Sequence, residues 1–240
     1  IFLGNPGTGK TTVARIFGEI YSALGILPKG HLVEIDRQGL VASYVGQTAQ
    51  KTKEIVDKAI GGTLFIDEAY TLSKKGDSSD FGQEAIDILL KRMEDDRGKF
   101  ICIAAGYTDE MKAFIESNPG LKSRFTKVIE FEDYTPDEMI SIVKILLNSK
   151  KMKIAEIAME PLRKYFMELY RGRDKHFGNA RVVRNVIDAA LKNHLLRIAD
   201  LSSEERTDEV KFTLMLDDLA SVIGKEKKET KVIIEGNREL

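Results

Sequence analysis

The sequence is poor in the residues that staple small proteins or anchor metals. Its 240 residues hold one cysteine and no tryptophan. A single cysteine excludes an intrachain disulfide and every zinc site built on cysteine pairs. Cys102 lies in the apolar run Phe100-Ile-Cys-Ile-Ala-Ala105, where a small buried residue is expected. The three histidines, His31, His176 and His194, are far apart and lack ligand spacing, so no metal role is expected of them. No apolar run approaches the ~18 residues of a membrane span, and no signal-peptide pattern is present. An excess of one charge is missing too. The 37 Lys+Arg against 38 Asp+Glu leave a net charge of −1, which supplies no electrostatic footprint for nucleic acid or an anionic membrane. The chain begins at Ile1 inside a strand-like run. That gives the expectation of a piece of a longer protein in a reducing, cytoplasmic setting.

Hydrophobic residues make up 42% of the chain, enough for a real core over about one to two domains. The first half alternates short apolar runs with helix-period segments, the habit of a parallel α/β sheet. Strands are expected at 1–4, 31–35, 63–67, 100–105 and 127–131. Val13, Ile16, Phe17, Ile20, Tyr21 and Leu24 form one helical stripe, and Ala85, Ile86, Leu89, Leu90 and Met93 another. The pattern changes near Asp133. Thr135-Pro-Asp-Glu138 reads as a capping box with proline at the first helical position. Only helices are expected beyond it, on Met139–Leu147, Leu162–Tyr170, Asn179–Ala199 and Leu214–Ile223. The expected domains are an α/β unit over 1–133, a helical lid over 134–224 and a charged, loosely held tail over 225–240, with 232–234 as a short strand.

Gly4-Asn-Pro-Gly-Thr-Gly-Lys10-Thr11 fits the pattern G-x-x-x-x-G-K-[ST] between a strand and an amphipathic helix. Such glycines let backbone N–H groups curl around phosphate at a helix N-terminus. Asn5, Pro6, Gly7, Thr8, Gly9, Lys10, Thr11 and Thr12 are therefore the candidate ATP-binding residues. Lys10 is expected to reach the β- and γ-phosphates, and the Thr11 hydroxyl to ligate Mg²⁺. Thr63-Leu-Phe-Ile-Asp67-Glu68 is an apolar strand ending in two carboxylates. Asp67 would hold the magnesium shell, and Glu68 would polarise the attacking water. The glutamate, and the lack of an N-K-x-D sequence, argue against a GTPase. A small-molecule phosphotransferase fits the Asp-Glu pair and the large helical segment poorly.

Three further elements have bland readings on local sequence alone. Ser43-Tyr44-Val45-Gly46 is either a buried tyrosine in a turn or a small hook made of Tyr44, Val45 and Gly46. Arg124, in Pro119-Gly-Leu-Lys-Ser-Arg-Phe125, is either a solvated surface arginine or one that reaches a neighbouring subunit's γ-phosphate. Arg181, in Phe177-Gly-Asn-Ala-Arg181, could touch nucleotide from a helix start, with Arg184 as its nearest competitor.

In order along the chain, the P-loop, Tyr-Val-Gly, Leu-Phe-Ile-Asp-Glu-Ala-Tyr70, Asp80-Phe-Gly-Gln-Glu-Ala-Ile86 and Ala105-Gly-Tyr107 form a recognisable series. Asn118-Pro-Gly-Leu-Lys-Ser-Arg-Phe125 and Gly178-Asn-Ala-Arg-Val-Val-Arg-Asn185 complete it. The series resembles the AAA+ group containing stage V sporulation protein K and the red-type Rubisco activase CbbX, with AAA+ ATPases of type VII secretion also similar. The resemblance covers the chain to about Ala199. It implies a five-stranded parallel sheet in the order 5-1-4-3-2 followed by a small helical lid. It also implies a homo-hexamer that binds and hydrolyses ATP·Mg²⁺ between subunits and threads or remodels an unidentified protein substrate. Tyr44 would grip that substrate, 73–80 would be a second pore-facing loop, Arg124 the arginine finger and Arg181 sensor 2. Where many AAA+ proteins carry an asparagine or threonine as sensor 1, Ala104-Ala-Gly-Tyr107-Thr108 leaves Tyr107 or Thr108 for the place. A nucleotide-dependent binding module with incidental hydrolysis is the alternative, although a pure binder needs neither Glu68 nor Arg124.

Overall fold

The computed structural model describes residues 1–42, 44, 46–73 and 81–224. The expectations for Val45, for most of the second loop (74–80) and for the tail with its short strand lie outside the described residues. The chain divides into two units, with the second beginning at Asp133.

The first unit runs β1 (Phe2–Gly4), α1 (Lys10–Ala23), β2 (Leu32–Ile35), α2 (Arg37–Leu40), α3 (Thr48–Ala59), β3 (Thr63–Ile66), a 3₁₀ turn (Ala69–Ser73), α4 (Gly82–Asp95), β4 (Ile101–Gly106), α5 (Thr108–Glu116), α6 (Pro119–Arg124) and β5 (Ile129–Phe131). The strands form one parallel sheet in the order β2-β3-β4-β1-β5, which is the expected order read from the other edge. Burial follows from that order. All four residues of the interior strand β3 are buried, as a parallel strand covered on both faces requires, whereas Ile129 at the β5 edge is 38% exposed. Side chains alternate across the sheet. Leu64, Ile66 and Ala104 pack with Ala85, Ile86, Leu89, Met111 and Leu121 on one face. Phe2, Phe65, Ile103 and Ala105 pack with Ala14 on the other. Each fully buried side chain of this size contributes roughly 1.5–3 kcal/mol.

Helix α1 corrects one expectation. Its buried residues are Ala14 and Gly18, whereas Ile16, Ile20 and Leu24 are exposed. The cause is the close seat of the helix. A Cβ on Gly18 would run into the Gly30 carbonyl, so small residues, flanked by Val13 and Phe17, make the seam. Apolar periodicity marked the helix correctly and pointed partly to the wrong face.

The second unit contains α7 (Pro136–Ser149), β6 (Lys153–Ile154), α8 (Glu156–Arg171), α9 (Ala180–Asp200), α10 (Asp208–Lys211), β7 (Thr213–Leu214) and α11 (Leu216–Ile223). Its core joins Met139, Val143, Leu147, Leu162, Phe166, Val183, Ile187, Ala190 and Leu219. The capping box is present: Thr135 Oγ1 accepts from the Glu138 N–H at 3.3 Å, and the Glu138 carboxylate accepts the Thr135 N–H at 2.8 Å. Beyond the expected helices, β6 and β7 pair in parallel. Two-residue strands are too short to leave a periodic signal, and Leu214 belongs to β7 rather than to the last helix.

His194 belongs to a buried polar cluster. It is buried with Asp218, and its Nε2 lies 2.9 Å from the Lys211 carbonyl. Arg197 donates to both Asp218 oxygens, at 2.8 and 2.9 Å, and Asp218 also accepts the Met215 N–H at 2.8 Å. One carboxylate thus ties α9 to the start of α11. Burial alone would push the Asp218 carboxyl up, but the Arg197 and Met215 hydrogen bonds outweigh it and hold the group below its usual value. A carboxyl depressed by folding adds stability above its unfolded value near 3.8, and that stability is lost as the pH falls through the lower folded value. Asp218→Asn is therefore expected to lower stability at pH 7 by about 3–5 kcal/mol. The melting-temperature gap to the unaltered chain should close as the pH is taken below 3.8. A gap independent of pH would remove the carboxylate from this account.

Candidate functional site

Gly7 and Gly9 take φ of 72° and 95°, in the left-handed region that a side chain would resist. The chain from Gly4 to Lys10 can therefore coil tightly and enter α1 at once. Gly9 caps α1 with no side-chain hydrogen bond, so the first helical N–H groups keep no cap from a side chain and can serve an anion. The Lys10 ammonium donates to the Gly4 and Asn5 carbonyls, each at 2.8 Å, and so spans the loop. Thr8 is 3% exposed and donates to the Asn5 carbonyl at 2.8 Å, so its hydroxyl braces the loop. The Thr11 hydroxyl donates to Glu34 on β2 at 3.3 Å, and Thr12 is exposed.

The sheet sets the distance from this loop to the carboxylates. Strand β4 pairs with β1 on one side and β3 on the other, with Leu3 beside Gly106 and Ile66 beside Ala104. Two inter-strand spacings separate Gly4 and Asp67 by about 10 Å across the strands, with Gly4 two residues further along. That gap suits a phosphate with its cation. Magnesium takes one or two carboxylates plus phosphates and water, and Thr11 and Asp67 supply that kind of donor set. Among the described residues no group of three or more His, Cys, Asp or Glu side chains converges on a metal position. A magnesium held largely by phosphate oxygens needs no such cage.

Glu68 follows Asp67 with φ of 47°, a costly conformation for a residue with a side chain. Its N–H donates to Asp67 Oδ1 at 3.1 Å, and its carbonyl accepts the Thr71 N–H at 2.9 Å and the Thr71 hydroxyl at 2.7 Å. The Thr71 carbonyl accepts from Arg37 at 2.6 Å. Between the two carboxylate-bearing and phosphate-facing strand ends, β4 delivers Tyr107, whose ring lies 6.1 Å from that of Tyr70. Burial first, then the charges of Glu68 and its neighbours, pushes the Tyr70 hydroxyl up to about 12, so it stays a neutral donor. Thr108 opens α5.

Tyr44 is 72% exposed, which excludes the buried-turn reading, and Gly46 has φ of 78° with open space around it. Arg124 ends α6 and lies 3.4 Å from Glu94 on α4. It lines a cavity of about 540 Å³ with Met93, Glu94, Phe100, Cys102 and Ser123, and its buried Nε has no hydrogen-bond partner among the described residues. Phe100 leads into β4 and Cys102 lies at its start, while the P-loop follows the end of β1. Arg124 therefore sits at the opposite end of the parallel sheet from the P-loop of its own chain, and the structure does not bring the two together. Cys102 itself is partly buried, and desolvation pushes its thiol up to about 12.

In the second unit, Arg181 and Arg184 are both exposed near the start of α9. They follow Asn179, which is fully buried with φ of 49°. Its amide donates to Asp133 and to the Phe177 carbonyl at 2.8 and 3.0 Å, and accepts the Tyr134 N–H at 2.8 Å. Sequence reasoning missed Asn179, Glu34, Arg37 and Thr71. The charged residues Glu34, Asp36 and Arg37 at the end of the second strand were the available signal for two of them.

Comparison with known proteins agrees with this geometry. A family model described as ATPase family associated with various cellular activities (AAA) matches residues 1–133, and one described as AAA lid domain matches residues 135–229. Stage V sporulation protein K of Bacillus subtilis is 45% identical over 82% of this chain and 62% of its own length, so the chain spans less than two thirds of that relative. The chloroplastic ribulose bisphosphate carboxylase/oxygenase activase of Cyanidioschyzon merolae is 43% identical over 91% of this chain and 74% of its own. Protein CbxX of Cupriavidus necator is 44% identical over 91% and 68%. Two RuvB mutants of Thermotoga maritima share the fold with TM-scores of 0.61 and 0.59 at 20% identity, each covering 93% of this chain and 60% of theirs. With both family models matched across nearly its whole length and relatives this similar, the chain belongs to the AAA family of ATPases.

Proposed function

We propose that this chain binds ATP with Mg²⁺ in the loop from Asn5 to Thr12 and hydrolyses it only when a second copy completes the site, within a hexameric ring that remodels or threads a protein substrate. The observation that carries the reading is the position of Arg124. A guanidinium at the far end of the sheet cannot reach the γ-phosphate of its own chain, but a head-to-tail neighbour can present it.

In this reading Thr11 and Asp67 would hold a magnesium ion, which would supply positive charge beside the phosphates. Lys10 turns its ammonium from the loop carbonyls toward the β- and γ-phosphates. Glu68 holds and polarises the attacking water, its carboxylate aimed by the left-handed turn at φ of 47°. The neighbour's Arg124 leaves Glu94 to meet charge developing on the γ-phosphate, an effect worth about 10³–10⁵ in rate. Tyr107 leaves β4 between the two halves of the site and is the better placed of the two sensor 1 candidates. Arg181 is assigned to nucleotide sensing from the lid, and Tyr44 with Val45 and Gly46 to gripping substrate.

The relatives support a protein substrate without choosing one. One is named as an activase of another enzyme and another as a sporulation protein, at nearly equal identity. No described helix is long and apolar enough to cross a membrane, and a cytoplasmic setting for the machine is part of the proposal.

Steady-state ATP hydrolysis per chain is expected to climb steeply with protein concentration, with Glu68→Gln silent throughout. Absent hydrolysis at every concentration would favour a nucleotide-gated binding module instead. Mixing supplies a second test. Glu68→Gln and Arg124→Ala should each be inactive alone, yet equal mixtures should regain activity, because about one head-to-tail interface in four then pairs an intact Glu68 with an intact Arg124. No recovery on mixing would place Arg124 outside the shared site.

A further inference from the structure

Arg37 opens α2, directly after β2, and no motif in the sequence claims it. Its guanidinium crosses 34 residues of sequence to donate to the Thr71 carbonyl at 2.6 Å. Thr71 returns both its N–H and its hydroxyl to the Glu68 carbonyl. The left-handed turn that aims Glu68 is thus gripped from behind, and α2 is the anchor of that grip. The fit there is tight. A Cβ on Gly82 would collide with the Leu72 carbonyl and come within 2.8 Å of the Arg37 guanidinium, so the first residue of α4 has no side chain to spare.

The other end of α2 leads to Tyr44. Lys51 on α3 donates to the Gln38 and Val41 carbonyls at 2.6 and 2.9 Å, and Thr52 to the Leu40 carbonyl at 3.1 Å. The Ala42 N–H donates to Thr48 Oγ1 at 3.1 Å. These bonds weld both sides of the Tyr44 segment, Val41–Ala42 before it and Thr48 after it, to one block made of α2 and α3. A path of hydrogen bonds and α2 backbone therefore runs from Glu68 through Thr71 and Arg37 to Ala42, two residues before the exposed Tyr44. A charged donor on a half-buried carbonyl is the strongest kind of link in such a path.

We propose that Arg37 is a positioning residue that sets the Glu68 turn for hydrolysis and makes the base of the Tyr44 hook follow that turn. The proposal rests on the roles given above to Glu68 and Tyr44. A displacement of Glu68 when the γ-phosphate arrives or leaves would then pull on Thr71, and through the Arg37 bond α2 would carry the pull.

The test uses the full 240-residue chain with four changes: Glu68→Gln, Arg37→Met, Arg37→Lys and the milder Thr71→Val, which removes only the hydroxyl bond to Glu68. Hydrolysis kinetics, binding of a fluorescent ATP analogue and melting temperature are measured for each. A second set adds Tyr44→Cys carrying an environment-sensitive maleimide dye, for which the partly buried, raised-pKa Cys102 is a poor competitor. Arg37→Met is expected to lower kcat at least about tenfold while analogue affinity stays within about twofold, the pattern of a lost transition-state contribution. It should also abolish the dye's response to ATP. Arg37→Lys should restore part of both, and Thr71→Val should lower kcat in the same direction. Full kcat in Arg37→Met beside a silent Glu68→Gln would overturn the proposal alone. A joint fall of kcat, affinity and melting temperature without rescue by lysine would reduce Arg37 to a structural role. Full turnover by Glu68→Gln would remove the reading beneath it, and the proposal with it.

Discussion

Two parallel ladders, β1 to β4 and β4 to β3, set the distance on which the chemistry of the first unit depends. They hold the loop proposed to bind phosphate and a pair of carboxylates apart by the width of one intervening strand. Ladder hydrogen bonds fix that width far more rigidly than side-chain packing could. The end of β4 is correspondingly small, Ala104-Ala-Gly106, and a Cβ on Gly106 would press into the Tyr70 ring and Met111. Bulk at this point would force the strand ends apart or displace Tyr70. Catalytic geometry and core packing are here the same constraint.

The second unit depends on two buried polar residues rather than on a sheet. Asn179 uses its amide as donor and acceptor to hold Phe177, Asp133 and Tyr134 around the start of α9. Asp218 closes the other end of the unit by gathering Arg197, His194 and the Met215 N–H. Such groups are costly to bury and tolerable only when satisfied. Each commits its helix to one register, which an apolar contact of the same area would leave less sharply defined. Asn179 also carries the backbone strain that turns the chain into the helix bearing Arg181.

What could be read from the sequence and what could not divide along physical lines. The strand ends, the P-loop and the Asp67-Glu68 pair were legible because each is local: an apolar run, a turn and a helix start in consecutive residues. The capping box at Thr135 was legible for the same reason. Arg37, Glu34 and Asn179 act through bonds spanning 34, 23 and 46 residues, and no periodicity encodes a bond of that kind. The face of α1 was misassigned because Gly18 brings the helix so near Gly30 that small residues do the burying. Tyr44 needed its exposure, which a three-residue motif does not contain. Arg124 needed the sheet, since only the strand directions reveal that it stands at the far end from its own P-loop.

That last placement bears on symmetry. In a two-fold dimer residue i of one copy meets residue j of the other and j meets i, so two sites would be completed together and the pair closed; in a ring each copy completes only the next one's site. A head-to-tail ring of the kind proposed therefore has a direction, with one face different from the other. A row of Tyr44 hooks carried on such an array would point one way. A chain engaging them would meet a tool with handedness and polarity already built in, before any nucleotide is spent.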